Sequence, residues 1–413
     1  MQLEGPTPQA STTDPCFLVF SDDWGEHPSS CQHIFGHIAK HHQVLWVNTI
    51  GMRKPSFTFT DAKKVYYKLR KMLFGDKKQA KGHKRQTELT KLTVLQPFML
   101  PFSNITIIRR FNQFLVTNAV KKMLPTLTMS APIFITTVPN ACDYAGHCQE
   151  QKVVYYCVDD YGQWPGLEHK LVEEMEQNLM KKSNIFIATS QALYDKLICF
   201  VKPTHLLTHG VDLDLFSKTP TEEHVLLKNI PKPRVGYFGL FDERSDKNLL
   251  GELARSFPRV SFVITGKVET DISILKTRRN IFFTGSIPYR ELPAMVKGWE
   301  VCILPYLVND LTNSINPLKL KEYLATNKPV VASPLPEAKN FSNYLNVANS
   351  ATEWENIINS LLNKKLINQN NHVSAVLKEE SWPIKAGQFK EICLSFEPLA
   401  ELLSSRIHDN SLK

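Results

Sequence analysis

The chain is predicted to fold as two consecutive doubly wound α/β units, and three features of its 413 residues point that way. Short β-branched or aromatic runs alternate with longer helical patterns over nearly the whole length. Those runs are continuously apolar instead of alternating with polar residues, as expected of strands in a parallel sheet covered on both faces. The series also restarts after a polar, proline-containing stretch, "SKTPTEEHVLLKNIPKP", at 217–233. A hydrophobic content of 43% over this length supports two domains, each with its own core.

In the first series, strands are read at "CFLVFSD", "QVLWVNT", "LTVLQP", "PIFITTV", "KVVYYCVDD", "NIFIATS" and "HLLTHG". Helical patterns such as "SSCQHIFGHIAKHH", "IRRFNQFLVTNAVKKML" and "LEHKLVEEMEQNLMKK" separate several of them. The second series contributes "RVGYFG", "VSFVITG", "IFFTG", "EVCILPY" and "PVVAS", followed by a helical "AGQFKEICLSF". Domains are accordingly expected at 1–215 and 216–385, with a helical tail at 386–413 that packs back on the first domain. A cleft between the domains is expected, because ligands of such sheets bind beyond the carboxyl ends of the strands.

The amino-terminal "MQLEGPTPQASTTDP" lacks a basic start followed by an apolar stretch, and no apolar run approaches the ~20 residues of a spanning helix. The expected location is cytoplasmic, peripheral on the inner membrane surface. Eight scattered cysteines without a CxxC pair suggest neither a zinc cage nor a disulfide framework. Thirteen lysines and arginines against three acidic residues lie between Met52 and Lys91, enough to account for the whole net charge of +9. Within this basic insertion (52–91), residues 61–85 include "DAKKVYYKLRKMLF", with Val65, Leu69, Met72 and Leu73 at helical spacing, a pattern suited to an anionic bilayer. A solvated basic loop is the alternative. No nucleic-acid module accompanies the charge, so nucleic acid is not an expected partner.

Several second-series strands end where the chain must turn: Gly239, Gly266, Gly285 and Pro305. The loop after Gly239, "LFDERSDKNLL", offers Arg244 and Lys247 near a helix start, as a diphosphate requires, or as surface charges on a loop. In "INPLKLKEYLATNKPVVAS" (315–333), Asn316 is expected to cap a helix with Pro317 in its first turn. The backbone N–H groups near Leu318 and Lys319 then form a phosphate seat. Glu322 lies ~4.5 Å further along the axis, placed to accept from the two hydroxyls of a ribose. An ordinary Lys–Glu surface pair has the same spacing.

In the first half, "SDDWGEHPSSCQH" brings Asp22, Asp23, Trp24, Gly25, His27 and His33 to the end of the first strand or the next helix. "CVDDYGQW" does the same with Asp159, Asp160 and Trp164. Paired carboxylates and an aromatic ring suit sugar hydroxyls and a sugar face. They are also ordinary loop and capping residues.

"PLKLKEYLATNKPVVAS", preceded by "NIFFTGSIPYRELPAMVKGWEVCILPY", resembles the donor-site signature of nucleotide-sugar glycosyltransferases of the GT-B fold, specifically family 4 and related group 1 transferases of polysaccharide biosynthesis. "VVYYCVDDYGQWPG", "LVEEMEQNLMKKSNIFIATSQAL" and "THGVDLDLF" extend the resemblance over most of residues 15–385. It implies two facing Rossmann-like domains, the first for an acceptor and the second for a nucleotide-sugar donor. It implies sugar transfer to a hydroxyl of a glycan or lipid-linked acceptor, with retention, without metal, and with no cofactor beyond the nucleotide-sugar co-substrate.

By resemblance the second motif glutamate, Glu322, binds the ribose. The first falls at Ser314, and the arginine after the first glycine is Leu240, leaving Arg244 and Lys319 for the diphosphate. Asp159 or Asp160 is expected to position the acceptor hydroxyl, with Asp23 and His33 as further catalytic candidates. Asn327 replaces glycine at the helix end, where asparagine tolerates the left-handed conformation. "DLD" at 212–214 is expected to belong to a strand end and to hold no metal. The alternatives are a nucleotide-sugar epimerase of the same fold and a non-catalytic membrane- or polyanion-binding scaffold with a degenerate site.

Overall fold

The computed structural model describes residues 14–26, 28–49, 91–100, 104–364 and 373–395. His27, the basic segment 61–85 with the rest of the insertion up to residue 90, and the tail beyond residue 395 lie outside the described residues. Two parallel sheets carry the fold. The first contains β1 (Phe17–Ser21), β2 (Val44–Asn48), β3 (Leu92–Leu95), β4 (Ile133–Thr136), β5 (Lys152–Cys157), β6 (Ile185–Ala188) and β7 (Thr204–Leu206), in the order β3-β2-β1-β4-β5-β6-β7. The second contains β8 (Arg234–Phe238), β9 (Ser261–Thr265), β10 (Ile281–Gly285), β11 (Val301–Leu304), β12 (Val330–Ala332) and β13 (Asn346–Val347), in the order β10-β9-β8-β11-β12-β13.

Both orders follow one rule: the first strand of each series sits between the second and the fourth. The chain therefore reverses its direction of winding between β1 and β4 and again between β8 and β11, the positions where doubly wound sheets bind ligands. Each of the twelve strands read from the sequence is present. β13 was not read, because two residues without an apolar run carry no strand signal. β7 begins one residue before the stretch read for it and takes in only the first two residues of that stretch.

The central strands β1, β2, β8 and β9 are buried at every residue, which is why they read as unbroken apolar runs. In β8 the exception to side-chain bulk is Gly236, where an added Cβ would lie 1.9 Å from the Trp299 ring. Gly236→Ala is expected to destabilise the second sheet by about 1–3 kcal/mol through overpacking, measurable as a fall in urea midpoint at unchanged slope.

By compactness the chain divides into two units that interleave in sequence. One comprises Met1–His27, Phe35–Tyr155 and Glu174–Asn184; the other comprises Pro28–Ile34, Tyr156–Glu173 and Ile185–Lys413. The second unit includes the helix Trp382–Leu394, whose Phe389 packs edge-on against Tyr156 with ring centroids 5.1 Å apart. Seven of the eight cysteines are buried and all are free thiols. Among the described residues, no helix is long and apolar enough to cross a membrane.

Candidate functional site

The carboxyl ends of β8, β9 and β10 meet through their glycines. Gly239 (φ 114°), Gly266 (φ 141°) and Gly285 (φ 74°) all adopt backbone conformations that side chains resist. The Gly239 N–H donates to Thr265 O at 2.8 Å and the Gly266 N–H to Gly285 O at 2.9 Å. A Cβ on Gly266 would stand 2.0 Å from the Gly239 carbonyl oxygen, so these turns stack backbone on backbone.

Lys319 lies over the first of them, with Nζ 2.7 Å from where a Cβ of Gly239 would be. Its ammonium donates to Tyr237 Oη at 2.7 Å and Tyr306 Oη at 2.8 Å, and sits 4.4 Å and 5.2 Å from the two ring centres. Burial alone would raise the Tyr306 phenol, but Lys319 and Arg244 beside it pull it below the ordinary tyrosine value. Lys319 and Arg244 thus place two cations on Tyr306 where the winding reverses between β8 and β11.

Lys319 is the second residue of the helix Leu318–Ala325. The expectation that Asn316 caps this helix is corrected. The cap position is Pro317, at φ −71° and ψ 111°, and no side chain bonds the first turn. Proline holds an extended backbone one residue further along than expected, which moves the helix start past the reach of Asn316. Asn316 is instead 4% exposed, and neither its amide nitrogen nor its amide oxygen has a hydrogen-bond partner. The first N–H groups of the helix have no intrahelical acceptor. At the other end Asn327 takes φ 59°, the left-handed conformation expected of it.

Glu322 and Lys319 do not form the surface pair that their spacing allows. Glu322 is buried and its Oε1 accepts from Tyr289 Oη at 2.6 Å. Burial pushes its carboxyl up from 4.5 to about 7, against the Tyr289 bond and Lys319, with Asp212 adding repulsion. Tyr289 faces His33 at 5.7 Å, and His33 stacks flat on Trp382 at 4.7 Å.

The raised carboxyl carries a stability prediction. Between pH 4.5 and about 7 the folded chain holds a proton on Glu322 that the unfolded chain has lost, so stability falls as pH rises through that window. Glu322→Gln removes this term. The wild-type melting temperature minus that of the variant should decline across the window and then level off in calorimetric scans at successive pH values.

Arg244 is bidentate with Asp242 (Nε to Oδ1 3.0 Å, Nη2 to Oδ2 2.8 Å) and stacks on Trp164 at 5.1 Å and Tyr306 at 5.9 Å. Its guanidinium also acts on half-buried Asp159, whose carboxyl burial raises to about 7 while Arg244 opposes and Asp160 and Asp242 reinforce the rise. The "CVDDYGQW" cluster and the loop after β8 are therefore brought together around one arginine. Asp160 turns to Lys196 at 3.0 Å. Lys247, the first residue of the helix Lys247–Ser256, turns to Glu243 at 3.2 Å and Thr270 at 2.7 Å.

Asp22, Asp23 and Trp24 belong to the other compact unit. There Ser21 Oγ donates to Asp22 Oδ1 at 2.7 Å, the Trp24 N–H donates to Asn48, and the Trp24 ring meets Trp46 edge-on. Asp212 of "DLD" caps the short helix Leu213–Phe216, accepting from the Leu215 N–H at 3.0 Å. Ser314 Oγ donates to Leu311 O, and its own carbonyl accepts from Ser190 Oγ at 2.6 Å.

Sequence reasoning missed the three tyrosines, whose rings lay in apolar runs or turns that hid their hydroxyls. It also missed Lys321, which is fully buried and donates to Glu380 Oε2 at 2.6 Å, His209 O at 2.7 Å and Thr208 Oγ1 at 3.2 Å. Lys385 joins the same cluster through Glu380 Oε1 at 2.9 Å. His209, bonded to Ser30 at 2.7 Å, is held neutral: burial, then Lys321 and Lys385, lower it to about 3.

The second sheet carries a family match: residues 232–364 fit the model of "Glycosyl transferases group 1". That stretch, about a third of the chain, resembles a group 1 glycosyltransferase domain. Arg244, Lys319, Glu322 and Asn316 all fall inside it. Over 176 residues the chain is 26% identical to TuaH of Bacillus subtilis (strain 168), whose name provisionally assigns it as a teichuronic acid biosynthesis glycosyltransferase. That match covers 40% of this chain and 44% of the relative, so the chain spans less than half the length of the curated protein it matches.

Among solved structures, Anabaena HepE in complex with UDP and glucose is similar at a TM-score of 0.65 and 14% identity, over 92% of this chain and 100% of that one. Sucrose-phosphate synthase from Thermosynechococcus elongatus is similar at 0.64 and 14%, over 91% and 98%. An α,α-trehalose-phosphate synthase from Burkholderia vietnamiensis is similar at 0.63 and 12%, over 93% and 97%. At such identities the likeness is one of fold, and that fold is GT-B.

Proposed function

We propose that the protein is a glycosyltransferase that moves a sugar from a nucleotide diphosphate donor to a hydroxyl of a glycan or lipid-linked acceptor, in surface polysaccharide or glycolipid synthesis. Residues 216–385 hold the donor and residues 1–215 the acceptor. The observation that carries this is the cationic end of the group 1 domain, where Lys319 sits at a helix start over Gly239, with Arg244 on the neighbouring face of Tyr306. A diphosphate leaving group gains charge as the glycosidic bond breaks, and fixed cations with backbone N–H groups stabilise that charge without reorganising. These protein groups supply the positive charge, so no metal is assigned.

Along the helix, Glu322 receives the ribose hydroxyls in place of the Tyr289 hydroxyl, and Lys319 the phosphates. Asn316, two residues before the helix begins at Leu318, receives the sugar. Its amide has an unsatisfied donor and an unsatisfied acceptor, and a sugar hydroxyl offers the complement of both, whereas a phosphate offers acceptors alone. In this reading Asp159, whose carboxyl burial raises to about 7 against Arg244, holds the acceptor hydroxyl. Retention of the anomeric configuration follows from the family resemblance and is read directly from the product by NMR.

Because HepE was solved with UDP and glucose, uridine diphosphate sugars are the first donors to try. Incubation of the full chain with a panel of nucleotide sugars and glycolipid acceptors should release nucleoside diphosphate only when both are present. Nucleotide release without acceptor, or an epimerised sugar from donor alone, would contradict transfer. Asn316→Ala is expected to keep nucleoside diphosphate affinity within about twofold and to lower transfer about tenfold to a hundredfold, the scale of one or two hydrogen bonds to a buried polar group. Equal loss in both measurements would place Asn316 elsewhere than on the sugar.

A further inference from the structure

The helix Thr106–Thr126, "TIIRRFNQFLVTNAVKKMLPT", contains four basic residues and no acidic one. Asn112, Val116, Thr117, Val120 and Leu124 bury its inner face. On its outer face Ile107 is 79% exposed, Phe111 46% and Phe114 62%, and Ile105 just before the helix is 44% exposed. At 3.6 residues per turn, Ile107, Arg110, Phe111, Phe114, Lys121 and Lys122 all fall within about 60° of one line along the helix. The first half of this line is apolar except for Arg110 and its far end is basic, with Arg110, Lys121 and Lys122 exposed.

Two phenylalanines and an isoleucine standing clear of the surface cost hydrophobic free energy unless something covers them. The charge pattern says what kind of cover fits. A second copy of the same face would bring like charges together with no acid to answer them. An anionic bilayer takes the aliphatic and aromatic side chains at its acyl boundary and the basic ones among its phosphates, and a helix anchored by its inner face lies flat in that plane.

We propose that the outer face of Thr106–Thr126 is a membrane-docking surface for anionic phospholipid. It stands on this face alone and does not require the transferase function.

The test is co-sedimentation of the full chain with vesicles of phosphatidylcholine alone and of equal parts phosphatidylcholine and phosphatidylglycerol. Wild type should bind the anionic vesicles and not the neutral ones. Phe111→Ser with Phe114→Ser, and separately Lys121→Glu with Lys122→Glu, should each weaken binding about tenfold or more, with melting temperatures unchanged because all four side chains are exposed. Undiminished binding by both variants would overturn the proposal and leave residues 61–85 as the contact. So would a wild-type dimer in size-exclusion chromatography that Phe114→Ser dissociates, which would make the face a protein interface.

Discussion

Replacing Lys319 by alanine is expected to lower the rate of sugar transfer about 10²- to 10³-fold, the cost typical of removing one preorganised group from a developing negative charge. Two tyrosine hydroxyls fix the Lys319 Nζ at 2.7 Å and 2.8 Å, and the absence of a side chain at Gly239 makes the room it occupies. Lys319→Arg should not restore the rate, because a planar guanidinium cannot enter a pocket shaped for an ammonium against Gly239. The loss should appear in kcat at saturating donor as well as in donor affinity. Stability should fall only modestly, since Tyr237 Oη keeps its bond to Leu240 O at 2.6 Å. A variant that turns over within a few fold of wild type would remove Lys319 from the chemistry.

Two residues further on, Lys321→Met is expected to destabilise the fold by about 3–5 kcal/mol, because removing one member of a buried ion cluster leaves its partner charge uncompensated. Lys321 holds Glu380 at 2.6 Å, with Glu337 3.5 Å away, and Lys385 alone remains to answer both carboxylates. Glu380 is held below its ordinary value by the two lysines against its own burial, so its charge is part of the folded state. Chemical denaturation of wild type, Lys321→Met and the double variant Lys321→Met with Glu380→Gln measures the effect. The double variant should recover part of the loss, since it removes the stranded charge. If Lys321→Met alone melts within about 1 kcal/mol of wild type, the cluster is not holding the segment around Glu380 to the Leu318–Ala325 helix.

Those two lysines show what could and could not be read from the sequence. At 3.6 residues per turn, positions 319 and 321 point about 160° apart, so one faces the strand ends and the other the interior. A lysine two residues from another lysine reads as surface charge in either place. The strands were legible because parallel strands buried on both faces are unbroken apolar runs, and the glycines because each strand-end turn takes a positive φ that side chains resist. Asn327 was legible for the same local reason.

Long-range partners were not legible. Tyr237, Tyr306 and Tyr289 sit in apolar surroundings and declare nothing about the lysine and glutamate they meet across 82, 13 and 33 residues. The amide of Asn316 was misassigned because capping is judged from residue type, whereas Pro317 decided where the helix begins. The pairing of Arg244 with Asp242 depends on how one loop folds back, and spacing alone does not specify that.

The most direct test of the donor site is calorimetric titration of uridine diphosphate into the full wild-type chain and the Lys319→Ala chain under the same conditions. Wild type should bind at a single site, and the variant, still folded by its melting curve, should bind at least about tenfold more weakly, as expected when a charged hydrogen-bonding partner of the phosphates is lost. Equal affinity in the two proteins would contradict the assignment of the phosphates to the start of the Leu318–Ala325 helix. Failure of uridine diphosphate and of every other nucleoside diphosphate to bind wild type would contradict the donor site itself.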